Sequence, residues 1–263
     1  MFLNHFSMNA MPFCERTSIP QILKDERFTQ NLARLHFFAQ HANIALVTGP
    51  TGVGKSTLVK LFFDQINRGI FHPVYLHLTH VRSSSLMKLV AAALGEQPKF
   101  TKEKVFTQIL DKTKNTDKTF VIAFDEAHLL CKEALTDIRL LLSSATDDNP
   151  PFKLLLVGQG PLLSLLQQES LLDLFHRINV RCQLKPLTKA QTLSYIDFQL
   201  ESVGATPRIF DSQVKDTIFE YSHGLPRQIN NIATACLIQA ASLGTQTINH
   251  SLLSQTMSEF STC

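Results

Sequence analysis

The chain has 263 residues, of which 44% are hydrophobic and 18% charged, and its formal net charge is +3. This length allows one large domain or a core with a small appendage, and the composition excludes a disordered or fibrous protein. Because the five cysteines form no C-x-x-C pair and no apolar run reaches the roughly 18 residues that span a bilayer, we expect a cytoplasmic protein with no membrane contact.

The first predicted strand, residues 43–48, ends at a glycine-rich turn that a helical pattern follows. The turn, G-P-T-G-V-G-K-S, satisfies the phosphate-binding pattern G-x-x-x-x-G-K-[ST]. Glycines let backbone N–H groups approach phosphates, while Lys55 adds a positive charge and Ser56 offers an oxygen to Mg²⁺. The sequence therefore predicts an ATP·Mg²⁺ site. Its predicted phosphate contacts are Gly49, Pro50, Thr51, Gly52, Val53, Gly54, Lys55, Ser56 and Thr57.

Two acidic residues at the end of a later strand are predicted to complete the ATP·Mg²⁺ site. A strand at residues 74–78 and helices at 83–94 and 102–114 precede a buried strand at 119–124, which ends at Asp125 and Glu126. A carboxylate at a strand end can hold Mg²⁺, so Asp125 is the expected second metal ligand. Glu126 is expected to polarise the attacking water as a general base.

One more strand, residues 152–157, follows a helix predicted at 133–145 and leads to Gln159. Apolar strands that alternate with helices predict an α/β fold with a parallel sheet covered on both faces. The end of such a strand lies on the ligand side of the sheet, so Gln159 can position water or sense the γ-phosphate. The alternative is an ordinary polar loop residue.

After Pro186 the pattern is helical throughout, with predicted helices at 188–203, 211–221, 226–243 and 249–260. We therefore predict a core domain at residues 1–186, including the N-terminal segment, and a helical lid domain at 187–263. Arg177 and Arg181 lie near the end of the core, and Arg227 opens a lid helix. Arginine suits a transferring phosphoryl group, although each could equally form a structural ion pair.

Taken together, these motifs resemble AAA+ ATPases, and most of all the ExeA-like group of secretion ATPases and transposition regulators such as TnsC, TniB and MuB. The opening H-F-S-M with M-P-F is similar to that group's "HFG-L…PF" pattern. The segments V-R-C-Q-L-K-P-L-T at 180–188 and G-L-P-R-Q-I-N at 224–230 are similar to its junction and its lid signature. The resemblance spans nearly the whole chain.

The resemblance implies roles for the arginines and an assembly state. Arg227 would sense the γ-phosphate within its own chain, and Arg177 would reach the ATP of the next subunit as an arginine finger, with Arg181 as the other candidate. A homo-oligomer, either a ring or a helical filament, is therefore expected. Gln159 departs from the Asn, Ser or Thr that many AAA+ proteins carry at that place, although a glutamine can make the same kind of hydrogen bond to water.

A basic stretch at residues 82–118 favours DNA as the partner on which the ATPase acts. Residues 82–118 hold eight Lys or Arg against four Asp or Glu, which puts the positive excess in one segment. Arg82, Lys99, Lys102 and Lys104 are the candidate contacts to the phosphates of double-stranded DNA, and such contacts carry no sequence preference. The alternative is an ordinary solvated face.

The chain ends at Cys263 after the lid, without the membrane segment and wall-binding domain of the ExeA-type secretion ATPases. We therefore expect a regulator that binds DNA with ATP and recruits a transposase. The alternatives are a secretion or assembly ATPase without its anchor, and an ATP-switched interaction module with negligible hydrolysis.

Two short matches carry less weight. The run D-E-A-H at 125–128 and S-A-T at 144–146 spell helicase motifs, but residues 147–263 are predicted as one strand and a helical lid rather than a second ATPase lobe. His77 and His80 lack a third ligand nearby in the sequence, which favours packing over a metal site.

Overall fold

The structure is a computed structural model that describes residues 2–14, 22–78, 82–144 and 152–260. These residues fall into two compact units, which we call the α/β unit and the helical unit. The α/β unit comprises Arg27–Thr51 and Leu58–Leu184, and the helical unit comprises Met1–Glu26, Gly52–Thr57 and Lys185–Cys263. The phosphate-binding turn is thus divided, because its second half packs with the helical unit.

In the described residues, five parallel strands form the sheet of the α/β unit. They are β1 (Ile44–Thr48), β2 (Phe71–His77), β3 (Thr119–Asp125), β4 (Phe152–Gly158) and β5 (Val180–Gln183). The order across the sheet is β2-β3-β4-β1-β5, with every pair parallel. The predicted α/β fold with a parallel sheet is confirmed. β5 was not predicted as a strand, because V-R-C-Q is only four residues long and half-exposed and so forms no apolar run.

Helices cover this sheet. They are α2 (Glu26–His41), α3 (Lys55–Gln65), α4 (Ser83–Ala93), α5 (Lys102–Lys114), α6 (Lys132–Ser143), α7 (Gly160–Leu166) and α8 (Leu172–His176). The core between the helices and one face of the sheet is aliphatic and aromatic, and side chains such as Phe124, Phe152 and Leu154 are almost completely buried. Burying such apolar side chains is the dominant favourable term in folding. The carboxyl ends of β1, β3 and β4 lie at one edge of the sheet, which is where parallel sheets bind ligands.

The helical unit contains α1 (Phe2–His5), α9 (Lys189–Glu201), α10 (Ser212–Ser222), α11 (Pro226–Ser242) and α12 (His250–Phe260). The four helices after residue 186 agree with the predicted ones to within a few residues. The N-terminal segment belongs here rather than with the predicted core, because Phe2, Phe6 and Phe13 are buried in the core of this unit. The amide of Asn9 also donates to the carbonyl of Val203 (3.0 Å).

The two segments most typical of the ExeA-like group meet inside the helical unit. Gly224 has φ +71°, and a Cβ there would lie 2.0 Å from the carbonyl oxygen of Leu187. The amide of Leu187 in turn donates to the carbonyl of Gly224 (2.8 Å), and Thr188 then caps α9 with a capping box closed by Gln191. Only glycine tolerates both the left-handed backbone and this approach, so Gly224 fixes where α11 begins.

Two of the cysteines act as small core residues. Cys182 and Cys236 are buried, and burial raises the pKa of each thiol to about 11. A thiol with so high a pKa is a poor nucleophile and metal ligand at neutral pH, so these two cysteines contribute to packing. Among the described helices, none is both long enough and apolar enough to cross a membrane.

Candidate nucleotide site

The phosphate-binding turn has the backbone that its glycines predict. Gly52 and Gly54 have φ of +75° and +106°, which L-residues with side chains rarely adopt. α3 begins directly afterwards at Lys55, whose side chain is 5% exposed. The turn therefore delivers backbone N–H groups and the positive end of a helix to the same place, which is an anion-binding arrangement.

The first turn of α11 packs against this loop within the helical unit. The amide of Arg227 donates to the carbonyl of Gly52 (3.2 Å). A Cβ on Gly52 would lie 2.7 Å from the Cβ of Arg227, so the two backbones approach as closely as they do only because Gly52 has no side chain. The contact places the predicted lid arginine beside the predicted phosphate loop.

Asp125 ends β3 at the carboxyl edge of the α/β unit and is 1% exposed. Its Oδ1 accepts the backbone N–H of Glu126 (2.9 Å), and its Oδ2 accepts the hydroxyl of Tyr75, which lies on the neighbouring strand β2. A buried carboxylate that accepts such bonds is held in a single orientation. Tyr75 was not identified from the sequence, because its position in an apolar strand predicts packing.

Glu126, His128 and Gln159 form a polar cluster at the same edge. The amide nitrogen of Gln159 lies 3.5 Å from Glu126 Oε2 and 3.3 Å from His128 Nε2. His128 Nδ1 lies 3.3 Å from the same carboxylate oxygen, although no hydrogen bond to that nitrogen is aligned. If the Gln159 amide were flipped, its oxygen would face the Glu126 carboxylate, and two acceptor oxygens cannot form a hydrogen bond. The arrangement therefore favours a Gln159 NH₂ that donates to both neighbours, with His128 Nε2 as an acceptor.

The backbone around this cluster is unusual in the way functional sites often are. Glu126 has φ +57°, a left-handed conformation that costs a residue with a side chain about 1–3 kcal/mol. A short 3₁₀ turn, Ala127–Leu129, follows and lies against the end of β4, where a Cβ on Gly158 would be 3.3 Å from the amide nitrogen of His128. The turn brings His128 back beside Glu126.

The donor atoms suit Mg²⁺ that arrives with a nucleotide. Mg²⁺ is usually bound through one or two protein oxygens, and substrate phosphates and water fill the remaining positions. In the α/β unit, Asp125 offers a carboxylate at the end of β3. In the helical unit, Ser56 offers a hydroxyl in the first turn of α3. Within the described ranges, no group of three His, Cys, Asp or Glu side chains forms a self-sufficient metal site. His80, the partner of His77 in the histidine pair, lies outside those ranges.

Arg177 belongs to an ordered cluster on the α/β unit. Its Nε contacts Asp173 Oδ1 (3.2 Å) and its Nη1 donates to Ser143 Oγ (2.9 Å), while Arg139 Nη1 holds the other oxygen of Asp173 (3.1 Å). The hydrogen bond from Arg139, with a further one from Arg177, lowers the pKa of Asp173, so this carboxylate stays charged. The side chain of Arg177 remains 46% exposed.

Arg181 is placed differently from Arg177. It lies in the middle of the β1–β5 pairing, opposite Leu46, and not at the carboxyl edge of the sheet. Its guanidinium is stacked 4.1 Å from the centre of the Phe175 ring, and the carbonyl of Arg181 accepts a bond from Arg34 (3.0 Å). These contacts describe a structural arginine.

The candidate DNA contacts, Arg82, Lys99, Lys102 and Lys104, are all exposed on the α/β unit. Lys102 Nζ lies 2.7 Å from Asp137 Oδ2, and its side chain is still 42% exposed. Asp137 also accepts the hydroxyl of Ser83, so this ion pair ties α5 to α4 and α6. The pair offsets part of the positive charge of Lys102.

The sequence did not identify His128 as part of the site. The D-E-A-H run contained the signal, but we interpreted it as a chance match to a helicase motif. The position three residues after a buried strand end predicts a helix start rather than a turn back to Glu126. The other half of the helicase match, the S-A-T run, continues into Ala145 and Thr146, which lie outside the described residues.

The chain is similar in sequence to known proteins. Residues 38–166 match the model of the AAA domain family. Over 261 residues, 95% of its length, the chain is 28% identical to General secretion pathway protein A of Aeromonas hydrophila. It spans about half of that relative, 47% of the relative's length.

Solved structures share the fold at low sequence identity. Cdc6p from Pyrobaculum aerophilum superimposes with a TM-score of 0.75 at 16% identity, covering 94% of this chain and 70% of that one. The ORC1 protein of Aeropyrum pernix, solved in complex with DNA, gives a TM-score of 0.71 at 14% identity, with 98% and 68% covered. At such identities the similarity shows the fold alone.

The packing of Gly52 on Arg227 gives a first prediction. Gly52→Ala would add strain at φ +75° and a 2.7 Å contact, so we expect the loop to shift and ATP affinity to fall at least about 10-fold, the equivalent of about 1.4 kcal/mol. Isothermal titration with ATP·Mg²⁺ measures this.

Gly244→Ala is the matched control, because Gly244 has φ +69° but nothing within 4 Å of an added Cβ. That variant shares the backbone strain and is expected to keep wild-type ATP affinity. Equal affinities for both variants and the wild type would contradict the role of the Gly52 contact.

Proposed function

Because the chain is an AAA+ ATPase of the ExeA-like kind, we propose that it uses ATP binding and hydrolysis to hold and release double-stranded DNA as a regulator of transposition. The observation that carries the ATPase part is the phosphate loop packed on Arg227, together with the acidic strand end at Asp125 and Glu126. The DNA part depends on the exposed basic stretch.

In the nucleotide site, the loop from Gly49 to Thr57 wraps the phosphates with backbone N–H groups, and Lys55 neutralises the β- and γ-phosphates. Arg227, held beside Gly52, reads the γ-phosphate from the start of α11. Mg²⁺, bound through Ser56 and Asp125, would supply charge neutralisation at the phosphate oxygens.

Glu126 acts as the general base on the attacking water. Gln159 donates to the Glu126 carboxylate (3.5 Å) and the His128 ring lies beside it, and we expect these neighbours to keep the Glu126 side chain aimed despite its left-handed backbone. Gln159 can also donate its amide to the water or to the γ-phosphate, as the Asn, Ser or Thr found there in other AAA+ proteins would.

Arg177 acts on the ATP of a neighbouring subunit. Its guanidinium is half-exposed yet already ordered by Asp173 and Ser143, so little conformational entropy is lost when it meets a phosphate. Arg181 is stacked on Phe175 in the middle of β5 and does not lie at the carboxyl ends of the strands, so we do not assign it as the finger. A finger supplied in trans requires a homo-oligomer, as a ring or a filament.

A subunit-mixing experiment tests this assignment. Glu126→Gln and Arg177→Ala should each lower ATP turnover by about 100-fold or more, since a general base and an arginine finger contribute at least that much. In an equal mixture, an intact Glu126 meets an intact neighbouring Arg177 at about a quarter of the interfaces, so on the order of a quarter of the wild-type rate returns.

The control is Arg181→Ala, which should retain turnover by itself. A mixture that stays as inactive as its components would contradict the action of Arg177 across an interface. Recovery would also demonstrate the oligomer, because no single chain in the mixture carries both residues.

The DNA proposal rests on charge and position. Arg82, Lys99 and Lys104 lie exposed at the start of α4, in the loop before α5 and in its first turn, and Lys102 adds a partly offset charge. Each subunit of an oligomer would contribute a few phosphate contacts, so affinity builds by repetition and falls with salt. A protein of similar fold, the Aeropyrum pernix ORC1 protein, was solved in complex with DNA, which supports the proposal.

In the proposed cycle, the ATP-bound oligomer covers duplex DNA in the cytoplasm and recruits a transposase. Hydrolysis then releases the oligomer from the DNA, so that the ATPase works as a timer.

The second candidate is a secretion or assembly ATPase, and the observation favouring it is the 28% identity to General secretion pathway protein A. If the chain is such an ATPase, it would act on a partner protein, and its ATP turnover would not respond to DNA.

The direct test is ATP turnover by the purified chain with and without duplex DNA, combined with binding measured over a salt series. We expect DNA to raise turnover, and we expect Lys99→Ala and Lys104→Ala each to reduce the slope of log affinity against log salt by about 1. Lys132→Ala, an exposed lysine on α6 outside the basic stretch, is the matched control and should keep the wild-type slope.

The Glu126→Gln protein separates the alternatives. The transposition regulator should be trapped on DNA by ATP in this variant, whereas an interaction module with negligible hydrolysis would behave as the wild type does. An absence of DNA binding at low salt with ATP present would refute the DNA proposal and favour the secretion candidate.

A further inference from the structure

Phe100 is the most exposed large hydrophobic residue in the described part of the chain. Its side chain is 92% exposed, and it lies in residues 95–101, the loop between α4 and α5. A single exposed apolar residue is ordinary on a protein surface. This one differs because its loop is fixed in place and because its neighbours are cations.

Gln108 holds the loop from within α5. Its side-chain oxygen accepts the amide of Lys99 (3.2 Å), and its side-chain nitrogen donates to the carbonyl of Gln97 (2.9 Å) and to Glu96 (3.2 Å). The hydrogen bond from Gln108, followed by the contact with Lys112, lowers the pKa of Glu96 and keeps it ionised. Gln108 itself is buried, so the loop has an internal support.

The residue after Phe100 also orders the backbone. Thr101 caps α5, and its hydroxyl oxygen accepts the amide of Lys104 (3.4 Å). Phe100 is therefore presented at a defined point immediately before a helix, and not on a loop that must be ordered when a ligand binds. Pre-ordering of this kind removes an entropic cost of binding.

One lysine lies near the exposed ring in space, and three more lie near it in the sequence. Lys88 Nζ, from α4, lies 5.9 Å from the centre of the Phe100 ring, and the side chains of Lys99, Lys102 and Lys104 are exposed on either side of it in the sequence. An apolar protein pocket would have to bury or neutralise these cations. A nucleic acid offers phosphates to the lysines and flat bases to the ring within one ligand.

We propose that Phe100 stacks on a nucleobase of the bound DNA, inserted at a base step, while Lys99 and Lys104 hold the flanking phosphates. The proposal rests on the DNA binding described under Proposed function and adds a contact that the phosphate lysines cannot make. Insertion of an apolar side chain unstacks a step and bends or unwinds the duplex, so the protein would distort the DNA that it covers.

Affinity measurements with two kinds of variant test the stacking. Base–aromatic stacking predicts that Phe100→Ala weakens DNA binding by about 5- to 100-fold while leaving the salt slope unchanged, because no charge is lost. Lys104→Ala should reduce the slope. Phe37→Ala is the matched control, since Phe37 on α2 is 55% exposed and lies outside the basic stretch.

The chain has no tryptophan, so Phe100→Trp introduces one reporter at this position. Its emission should be quenched when duplex DNA is added with ATP, and the emission of the Phe37→Trp protein should not change. The same titration with single-stranded DNA shows whether the ring stacks only at a base step of the duplex or also on unpaired bases.

Plasmid relaxed by a topoisomerase in the presence of the wild type should show a change in linking number that Phe100→Ala abolishes.

The outcomes separate this inference from the function on which it rests. DNA binding by the wild type with equal affinity for Phe100→Ala and no quenching would overturn the stacking while keeping the proposed function. Quenching that follows oligomerisation with ATP before any DNA is added would also overturn it, in favour of a contact between subunits. An absence of DNA binding by the wild type would refute both proposals.

Discussion

The hydrogen bond from the Arg227 amide to the Gly52 carbonyl places the start of a lid helix on the phosphate-binding loop. It exists because Gly52 has no side chain to keep the backbones apart, and because the left-handed Gly224 sets where α11 begins. The helical unit therefore holds the second half of the phosphate-binding loop in contact with the arginine that we propose as the γ-phosphate sensor. In this proposal, a nucleotide that restrains the loop would also restrain the first turn of α11, and the helical unit would respond to ATP in this way.

Inside the α/β unit, the proposed chemistry depends on the orientation of two neighbouring carboxylates. Tyr75 and the Glu126 amide fix Asp125, while Glu126 itself turns away through a left-handed backbone to meet Gln159 and His128. These different partners suit the different tasks that we propose for the two acids, a metal ligand for Asp125 and a general base for Glu126. The basic loop around Phe100 lies on the same unit as these two carboxylates.

Most of the fold followed from the sequence because its signals are local. Apolar runs located four of the strands, and Pro226, Thr188 and Asn249 marked where lid helices begin. β5 was missed because V-R-C-Q is short and half-exposed, and the N-terminal segment was grouped with the core because burial of Phe6 and Phe13 is a long-range contact. The phosphate loop has a sequence signature. Tyr75 reaches the site because β2 pairs with β3, and His128 reaches it because of the backbone turn after Glu126. Neither feature can be predicted from the local sequence.

The most direct test of this account is hydrogen exchange at the start of α11, in the non-hydrolysing Glu126→Gln protein with and without ATP·Mg²⁺. We predict that ATP slows exchange at residues 52–57 and, with the same midpoint, at residues 227–230. The Lys55→Ala protein should show neither effect. Slower exchange in the loop with unchanged exchange in α11 would contradict the claim that Arg227 and the helical unit respond to the nucleotide through Gly52.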